Sequence, residues 1–541
     1  MASTTFIRHP RLRFALGPPP FFLALDPHPA RSPAFDGKAR QVGLPPALIA
    51  ERWPFRRKCP EDASARRAPG PRIAKGSPER GALAALSLTM GLASLGTSIV
   101  NVGLPTVARS FHASFQSAQW IVLAYLLATT TLVVGAGRLG DLFGRRRLLL
   151  VGLGSFTLAA LLGGIAPTLP VLIATRTLQG LGAALMMALA LALVSECVPQ
   201  ARTGRAMGLL GSLSAVGTAV GPSLGGMLLE RAGWASLFFV QVPVGLLALV
   251  LARRYLPGDR RPPGDARVRF DLPGTLLLAM ALAGYALAVT TGRGGLEPLG
   301  LGWLSLGLVG AGALVWVESR TASPLISLAT FRDPALRSGF ATSALVSTVV
   351  MATLVVGPFY LAFGLALDAT AVGAVMAIGP AVAALSGPSA GRLVDRHGSR
   401  AVVIAGLVAM AGGCAILALA PRACGIPGYL LPLALLTAGY GVFQAANTTA
   451  VMMAAGPGQR GVVSGALALS RNLGLITGAS VMGAVFARGL PGDLSSASPE
   501  ALAAGMRATF LVATVLVVVT LGLARAGTGR PSPLADPSSE P

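Results

Sequence analysis

The sequence predicts an all-α polytopic membrane protein: two six-helix repeat bundles with two further helices inserted between them, fourteen spans in all. Three observations carry this. The 541-residue chain is 53% hydrophobic and only 12% charged, with a mean hydropathy of +0.68, so it has too little polar surface to coat a soluble globule. Charge-poor windows close to the ~20 residues that a helix needs to cross ~30 Å of hydrocarbon recur along most of its length. A set of glycine, arginine and proline landmarks also appears twice, in the same order.

Taken in order, the windows place spans at 82–104, 117–136, 148–167, 171–195, 206–228, 235–252, 273–291, 301–317, 338–362, 371–390, 401–420, 427–452, 462–486 and 508–525. The expected organisation is a disordered basic tail over 1–80, a first six-helix bundle over 81–256, a linker with two inserted spans over 257–337, a second bundle over 338–526 and a short disordered tail over 527–541. The first tail holds 15 Arg and Lys, 6 Asp and Glu and many prolines without helical or strand period, a composition that cannot bury a core. A start codon further downstream, with the tail as translated upstream sequence, is the alternative there.

The net charge of +23, from 44 Lys and Arg against 21 Asp and Glu, resembles that of a nucleic-acid binder, but the placement of the charges excludes nucleic acid as the partner. The loops on the side of the N-terminus carry 19 Arg, among them Arg138, Arg145, Arg146 and Arg147 in one loop and Arg253, Arg254, Arg260, Arg261, Arg267 and Arg269 in another; the opposite loops carry 6. The positive-inside rule then puts both termini and the arginine-rich loops in the cytoplasm, and the expected location is the cell inner membrane. The four cysteines, Cys59, Cys197, Cys414 and Cys424, have no paired spacing that implies a disulfide or metal site.

The repeat fixes the architecture. Gly137-Arg138-Leu139-Gly140-Asp141-Leu142-Phe143-Gly144-Arg145-Arg146 returns as Gly391-Arg392-Leu393-Val394-Asp395-Arg396-His397-Gly398-Ser399-Arg400. Pro199-Gln200-Ala201-Arg202 returns as Pro457-Gly458-Gln459-Arg460, and the glycine series Gly217 to Gly226 returns as Gly474 to Gly483. Spans 1–6 and 9–14 are therefore equivalent, and spans 7 and 8 are the insert. Corresponding loops fall on the same side, so the halves are expected to be related by an axis along the membrane normal.

With these landmarks, residues 82–525 resemble the major facilitator superfamily, and within it the 14-helix drug/proton antiporter branch. Gly137 to Arg147 looks like the superfamily's loop motif after helix 2; Arg176-Thr177-Leu178-Gln179-Gly180 looks like its helix 4 motif. Gly217 to Gly226 is similar to the helix 5 motif of exporters. Leu95 to Pro105 resembles the branch's helix 1 motif, and Glu318 to Ile326 resembles its sequence after helix 8. One position departs: the branch usually keeps an acidic residue where this chain has Gly96, so the resemblance alone does not supply a proton carrier.

Read physically, the glycines of the 137–147 loop permit a tight turn and its arginines hold it on one side. Asp141 is expected near the start of span 13 (Gly461 to Ser464) and Asp395 near the start of span 5, where each carboxylate faces the positive end of a helix. Gly137, Asp141, Gly144, Arg145, Arg146, Asp395, Arg396 and Arg400 are thus the candidate gating residues. Arg176 lies inside span 4, where an arginine costs roughly 2.5 kcal/mol or more; its repeat equivalent near Leu435 is apolar, so the fold does not require it. With Gln179, Asn101, Tyr125, Gln241, Tyr360, Gln444 and Asn447 it forms the candidate substrate or coupling set, although each amide or hydroxyl equally suits an interhelical hydrogen bond. Gly217, Gly221, Pro222, Gly225 and Gly226 suit close helix packing, and the resemblance implies an export role for them.

No phosphate-binding loop, histidine cluster or partnered Gly-x-Ser-x-Gly element is found, which argues against an enzyme, a metal or another cofactor. The expected function is secondary active export of small amphipathic compounds, driven by proton antiport, by a monomer in a lipid bilayer. A dedicated exporter of one metabolite or toxin, and a transport-inactive sensor or lipid scramblase, are the alternatives.

Overall fold

The structure is a computed structural model that describes residues 77–199, 202–259, 271–290, 298–321, 328–420, 422–456, 460–488 and 497–526. Both terminal tails, apart from 77–80, lie outside the described residues. Among those described there is no strand, and fourteen helices are long and apolar enough to cross a membrane.

In order these are α1 (Glu79–Ser110), α2 (Phe115–Phe143), α3 (Arg145–Gly164), α4 (Leu169–Cys197), α5 (Arg205–Ala232), α6 (Ser236–Tyr255), α7 (Leu272–Thr290), α8 (Pro298–Arg320) and α9 (Pro334–Gly364). The stretch Ala369–Leu419 holds two spans, α10 before and α11 after a break at Gly398. Helices α12 (Gly425–Ala454), α13 (Val462–Ala487) and α14 (Pro499–Ala526) complete the set. Every expected span is present; the last begins two turns earlier than its apolar window.

Local chemistry sets the helix starts. Ser114 accepts the Ser117 N–H at the head of α2. Asp333 accepts the Ala335 N–H ahead of α9, whose first residue is Pro334, and Asp368 accepts the Ala371 N–H ahead of α10. These side chains satisfy backbone donors that a helix leaves orphaned. Leu308, Val309, Val515 and Leu385 stand 61–79% exposed or close to it, at 65%, 64%, 61% and 79%; apolar side chains this bare belong against lipid rather than water.

The repeat is visible in the packing. Glycines of α5 press on α1, at Gly217 against Gly91 and at Gly221 against Ser98 and Ile99; glycines of α13 press on α9, at Gly474 against Ala344 and at Gly478 against Thr348. The inserted pair α7 and α8 pack on each other, with α7 joined to α13 by a hydrogen bond from the Tyr285 hydroxyl to Thr477.

Candidate functional site

The loop between α2 and α3 turns at Gly144, whose φ of +97° is in the range that side chains disfavour; its repeat partner Gly398 has a φ of +77°. Both halves thus use the same glycine for the same turn. Around the first turn, Arg145 spans two carboxylates, Asp141 at 2.9 Å and Glu196 at 2.8 Å, tying the ends of α2, α3 and α4 together. Asp259, beyond α6, accepts the backbone N–H groups of Arg146 at 2.8 Å and Arg147 at 3.1 Å. It thereby caps α3 from a distant loop and favours the positive end of that helix. The Arg146 guanidinium reaches the Arg253 carbonyl at 2.5 Å.

Asp141 therefore keeps its bonds within its own bundle, and among the described residues no hydrogen bond joins it to α13. Asp395 is exposed and makes no ion pair among the described residues, with Arg396 and Arg400 exposed beside it. Cβ atoms placed on Gly137, Gly208, Gly211, Gly391 and Gly465 would meet open space.

The opposite end differs. Gly226 at the end of α5 lies against Ala369 and Gly373 of α10, and Gly373 lies against the Pro222 carbonyl; Thr370 donates a hydrogen bond to Glu230. By the repeat, Gly483 of α13 lies against Gln119 and Phe115 of α2. Phe115 meets Phe359 at 4.8 Å and Phe486 at 5.3 Å between ring centres, and the Arg109 guanidinium sits 5.0 Å over Phe363. Of the glycine series, Gly217, Gly221 and Gly225 pack within the first bundle, whereas Gly226 packs between bundles. The two bundles therefore close on each other at the end away from the arginine-rich loops.

Between the ends, the first bundle buries a polar cluster. Arg176 is 1% exposed and no carboxylate pairs with it among the described residues. Its charge is met by dipoles and a ring: Nη1 donates to Gln179 Oε1 at 2.6 Å and to the Gly96 carbonyl at 3.2 Å, Nε donates to the Ile121 carbonyl at 3.2 Å, and the guanidinium lies 4.3 Å over Tyr125. Gln179 passes a hydrogen bond to Gln241 at 2.8 Å, and Gln241 donates to the Leu237 carbonyl. Thr97 donates to the Tyr125 hydroxyl, which donates to the Ala93 carbonyl. Gly96 stands where a side chain would strike Phe156 and approach Gln241 Oε1, so the missing carboxylate position is filled by neighbours.

Arg176, Gln179, Tyr125 and Gln241 are thus brought together; the other candidates are not. Asn447 is a strut, donating to the Gly339 carbonyl of α9 at 3.0 Å and accepting from Thr342 at 3.4 Å, and it borders a cavity of about 110 Å³ with Arg400. Tyr360 lines a separate cavity inside the second bundle. Gln444 is half-buried. Asn101 is 2% exposed and neither amide atom has a hydrogen-bond partner among the described residues. The repeat equivalent of Arg176, expected at an apolar residue near Leu435, is set by the packing at Leu433. Gly182 abuts the Gly152 carbonyl between α4 and α3 as Gly439 abuts that of Gly406 between α12 and α11; six residues before each lie Arg176 and Leu433. Leu433 is 3% exposed, whereas Leu435 is 40% exposed. The sequence marks Glu196 only as one of several carboxylates at helix ends, and neither its pairing with Arg145 nor the hold of Asp259 on α3 has a signal there.

Fourteen candidate spans, a doubled six-helix unit and a polar cluster buried within the first bundle are the features of a membrane transporter. The chain belongs to the Major Facilitator Superfamily, whose family model matches residues 86–479. It is 33% identical over 421 residues to the multidrug resistance protein Stp of Mycobacterium tuberculosis (strain CDC 1551 / Oshkosh), covering 76% of each chain. It is 31% identical to the riboflavin transporter RibZ of Clostridioides difficile (strain 630), over 74% of this chain and 86% of that one, and 31% identical to the drug efflux pump JefA of the same Mycobacterium tuberculosis strain, over 75% and 81%. Among solved structures, a bacterial homolog to the human lysosomal transporter Spinster, in an inward-facing and unoccupied conformation, matches with a TM-score of 0.62 at 16% identity, over 83% of this chain and 97% of that one. The human organic anion transporter MFSD10 (TETRAN) matches with a TM-score of 0.56 at 17% identity, over 83% and 100%. At these identities the structures show the shared fold.

Proposed function

We propose that this chain exports small amphipathic compounds from the cytoplasm across the inner membrane by alternating access, with proton antiport as the driving step. The observation that carries the reading is the pairing of one closed end with a buried cation: the bundles meet through Gly226, Phe115 and Phe486 away from the arginine-rich loops, while Arg176 waits beneath without a carboxylate. With the arginine-rich loops cytoplasmic, the closed end is the outer one, and substrate would enter from the cytoplasm. On this reading Asp141 and Asp395 acquire cross-bundle contacts only when the cytoplasmic end shuts, and the Arg145 bridge to Asp141 is then exchanged. Names of relatives that act on drugs support the multidrug form. A dedicated exporter of one metabolite is the second reading, favoured by the relative named for riboflavin.

Gly96 means that a proton carrier would have to lie elsewhere, among the carboxylates at helix ends. The test is reconstitution of the full chain in liposomes with an imposed pH gradient, following dye movement and lumenal pH together. Gradient-driven dye flux with matched proton movement is expected; flux indifferent to the gradient rejects antiport. Transport of one compound in a panel of many would select the dedicated exporter, and dye binding without flux would select a sensor.

A further inference from the structure

The second bundle contains a cavity that the transport reading leaves unused. It measures about 300 Å³ and is bounded by the ends of α9 and α11 and the starts of α12 and α14, all at the end where the bundles close. No residue of the first bundle lines it, so it lies off the path between the halves. Its walls are aromatic and aliphatic: Tyr360 and Tyr429, with ring centres 6.0 Å apart, and Leu417 and Met506. Tyr429 is buried and turned inward, its hydroxyl 4.0 Å from the Met376 sulfur.

Arg507 also lines the cavity, and it is exposed. It has no hydrogen bond, ion pair or ring contact among the described residues, and no acidic residue lines the cavity. An arginine near the start of a span often reaches for headgroups or water. This one reaches from beside a chamber at the lower bound of the ~300–1,000 Å³ that ligand sites occupy. Leu419, also lining the cavity, is 75% exposed, so one wall continues onto the apolar, lipid-facing surface. A cation at the rim, an aromatic interior and a side continuous with lipid select one chemistry.

We propose that this cavity binds an amphipathic monoanion, its acid group on the Arg507 guanidinium and its apolar body between Tyr360, Tyr429 and Leu417. The shared chemistry is a single acidic head on an apolar body, and it has two sources: a membrane acid entering past Leu419, or a soluble aromatic acid from the outer aqueous phase. The site is independent of the substrate cluster around Arg176 and of proton coupling.

The experiment uses the purified full chain in nanodiscs of neutral phosphatidylcholine, labelled with a diazirine-bearing palmitate and mapped by peptide mass spectrometry. Adducts are expected on the segments 417–429 and 503–507. Oleate or 4-phenylbutyrate should displace the label, the stronger competitor identifying the source, whereas oleyl alcohol should not. Arg507→Gln should lower labelling about tenfold, the loss of one charge-assisted contact, and Arg507→Lys should keep most of it. Ala503→Phe, which fills the chamber, should abolish labelling while leaving Arg507 in place; unchanged gel-filtration behaviour will show that each variant is folded. Labelling that ignores Arg507→Gln, adducts scattered outside the two segments, or equal competition by the alcohol would overturn the proposal.

Discussion

The two bundles share a scaffold and differ in what they bury. Gly182 on Gly152 and Gly439 on Gly406 set α4 against α3 and α12 against α11 in the same register. At the matching positions inside, the first bundle holds Arg176 and Gln179, and the second holds Leu433 and Leu436, all four at 3% exposure or less. One scaffold therefore accommodates either a hydrogen-bonded cation or a pair of leucines at the same depth. A buried arginine costs roughly 2.5–3.5 kcal/mol at a helix centre, and the apolar twin at the same depth shows that the scaffold itself does not require that charge.

The sharpest way to break this comparison is to copy the second bundle into the first. Arg176→Leu with Gln179→Leu is expected to leave the protein folded and at least as heat-resistant, because well-packed apolar replacements of a buried polar set are often neutral or stabilising by ~1–4 kcal/mol. Export should fall at least ~100-fold, the worth of about 2.7 kcal/mol of lost interaction. Thermal unfolding by intrinsic fluorescence and liposome flux measure the two quantities. Retained flux would show that the polar cluster is only an alternative core.

The glycines give a second contrast, within a bundle against between bundles. Gly221 meets Ser98 and the backbone at Ile99 inside the first bundle, whereas Gly226 meets Ala369 and Gly373 across the divide. Gly221→Val is expected to cost about 1–3 kcal/mol as an overpacked core contact, read as a lower unfolding temperature. Gly226→Val should spare stability and instead hold the closed end apart. A cysteine at Gln119, buried in the closed arrangement, would then react several-fold faster with a membrane-impermeant maleimide. Equal effects on stability from both substitutions would erase the distinction.

Much of this was legible in the chain itself. Hydropathy located every span because a membrane helix must satisfy its backbone internally and face lipid, and the repeat located both turn glycines, Gly144 and Gly398. The polar cluster was legible in part. Arg176, Gln179, Tyr125 and Gln241 stood out as polar groups in apolar spans, but so did Tyr360 and Asn447, which lie in the second bundle and serve a side cavity and a strut. Polarity inside a span says that a partner exists, not which helix supplies it. Asp259 was invisible for a related reason: its hold on α3 comes through a loop contact more than a hundred residues away in sequence, and such contacts leave no periodicity.

The paired acids offer a smaller effect. Asp141 is engaged by Arg145 while Asp395 is exposed, so Asp141→Asn should slow flux several-fold at normal expression and Asp395→Asn should do less, both measured in the same liposomes. Indistinguishable rates would mean that the asymmetry of the two loops has no bearing on the cycle.

The smallest expected effect concerns Asn101. Its amide is buried with neither atom hydrogen-bonded among the described residues, in contrast to Asn447, whose amide is satisfied on both sides. Burying an unpaired polar group costs ~1–3 kcal/mol. Asn101→Leu should therefore raise stability by about 1 kcal/mol, and Asn447→Leu should lower it by a similar amount by removing the hydrogen bond that ties α12 to the Gly339 carbonyl of α9. If Asn101→Leu also slows export, the unpaired amide is one that another state of the cycle, or the substrate, satisfies; if export is untouched, Asn101 leaves the candidate set. Opposite signs for two buried asparagines, 2% and 5% exposed, would show that pairing, rather than depth, decides what a polar group does in this protein.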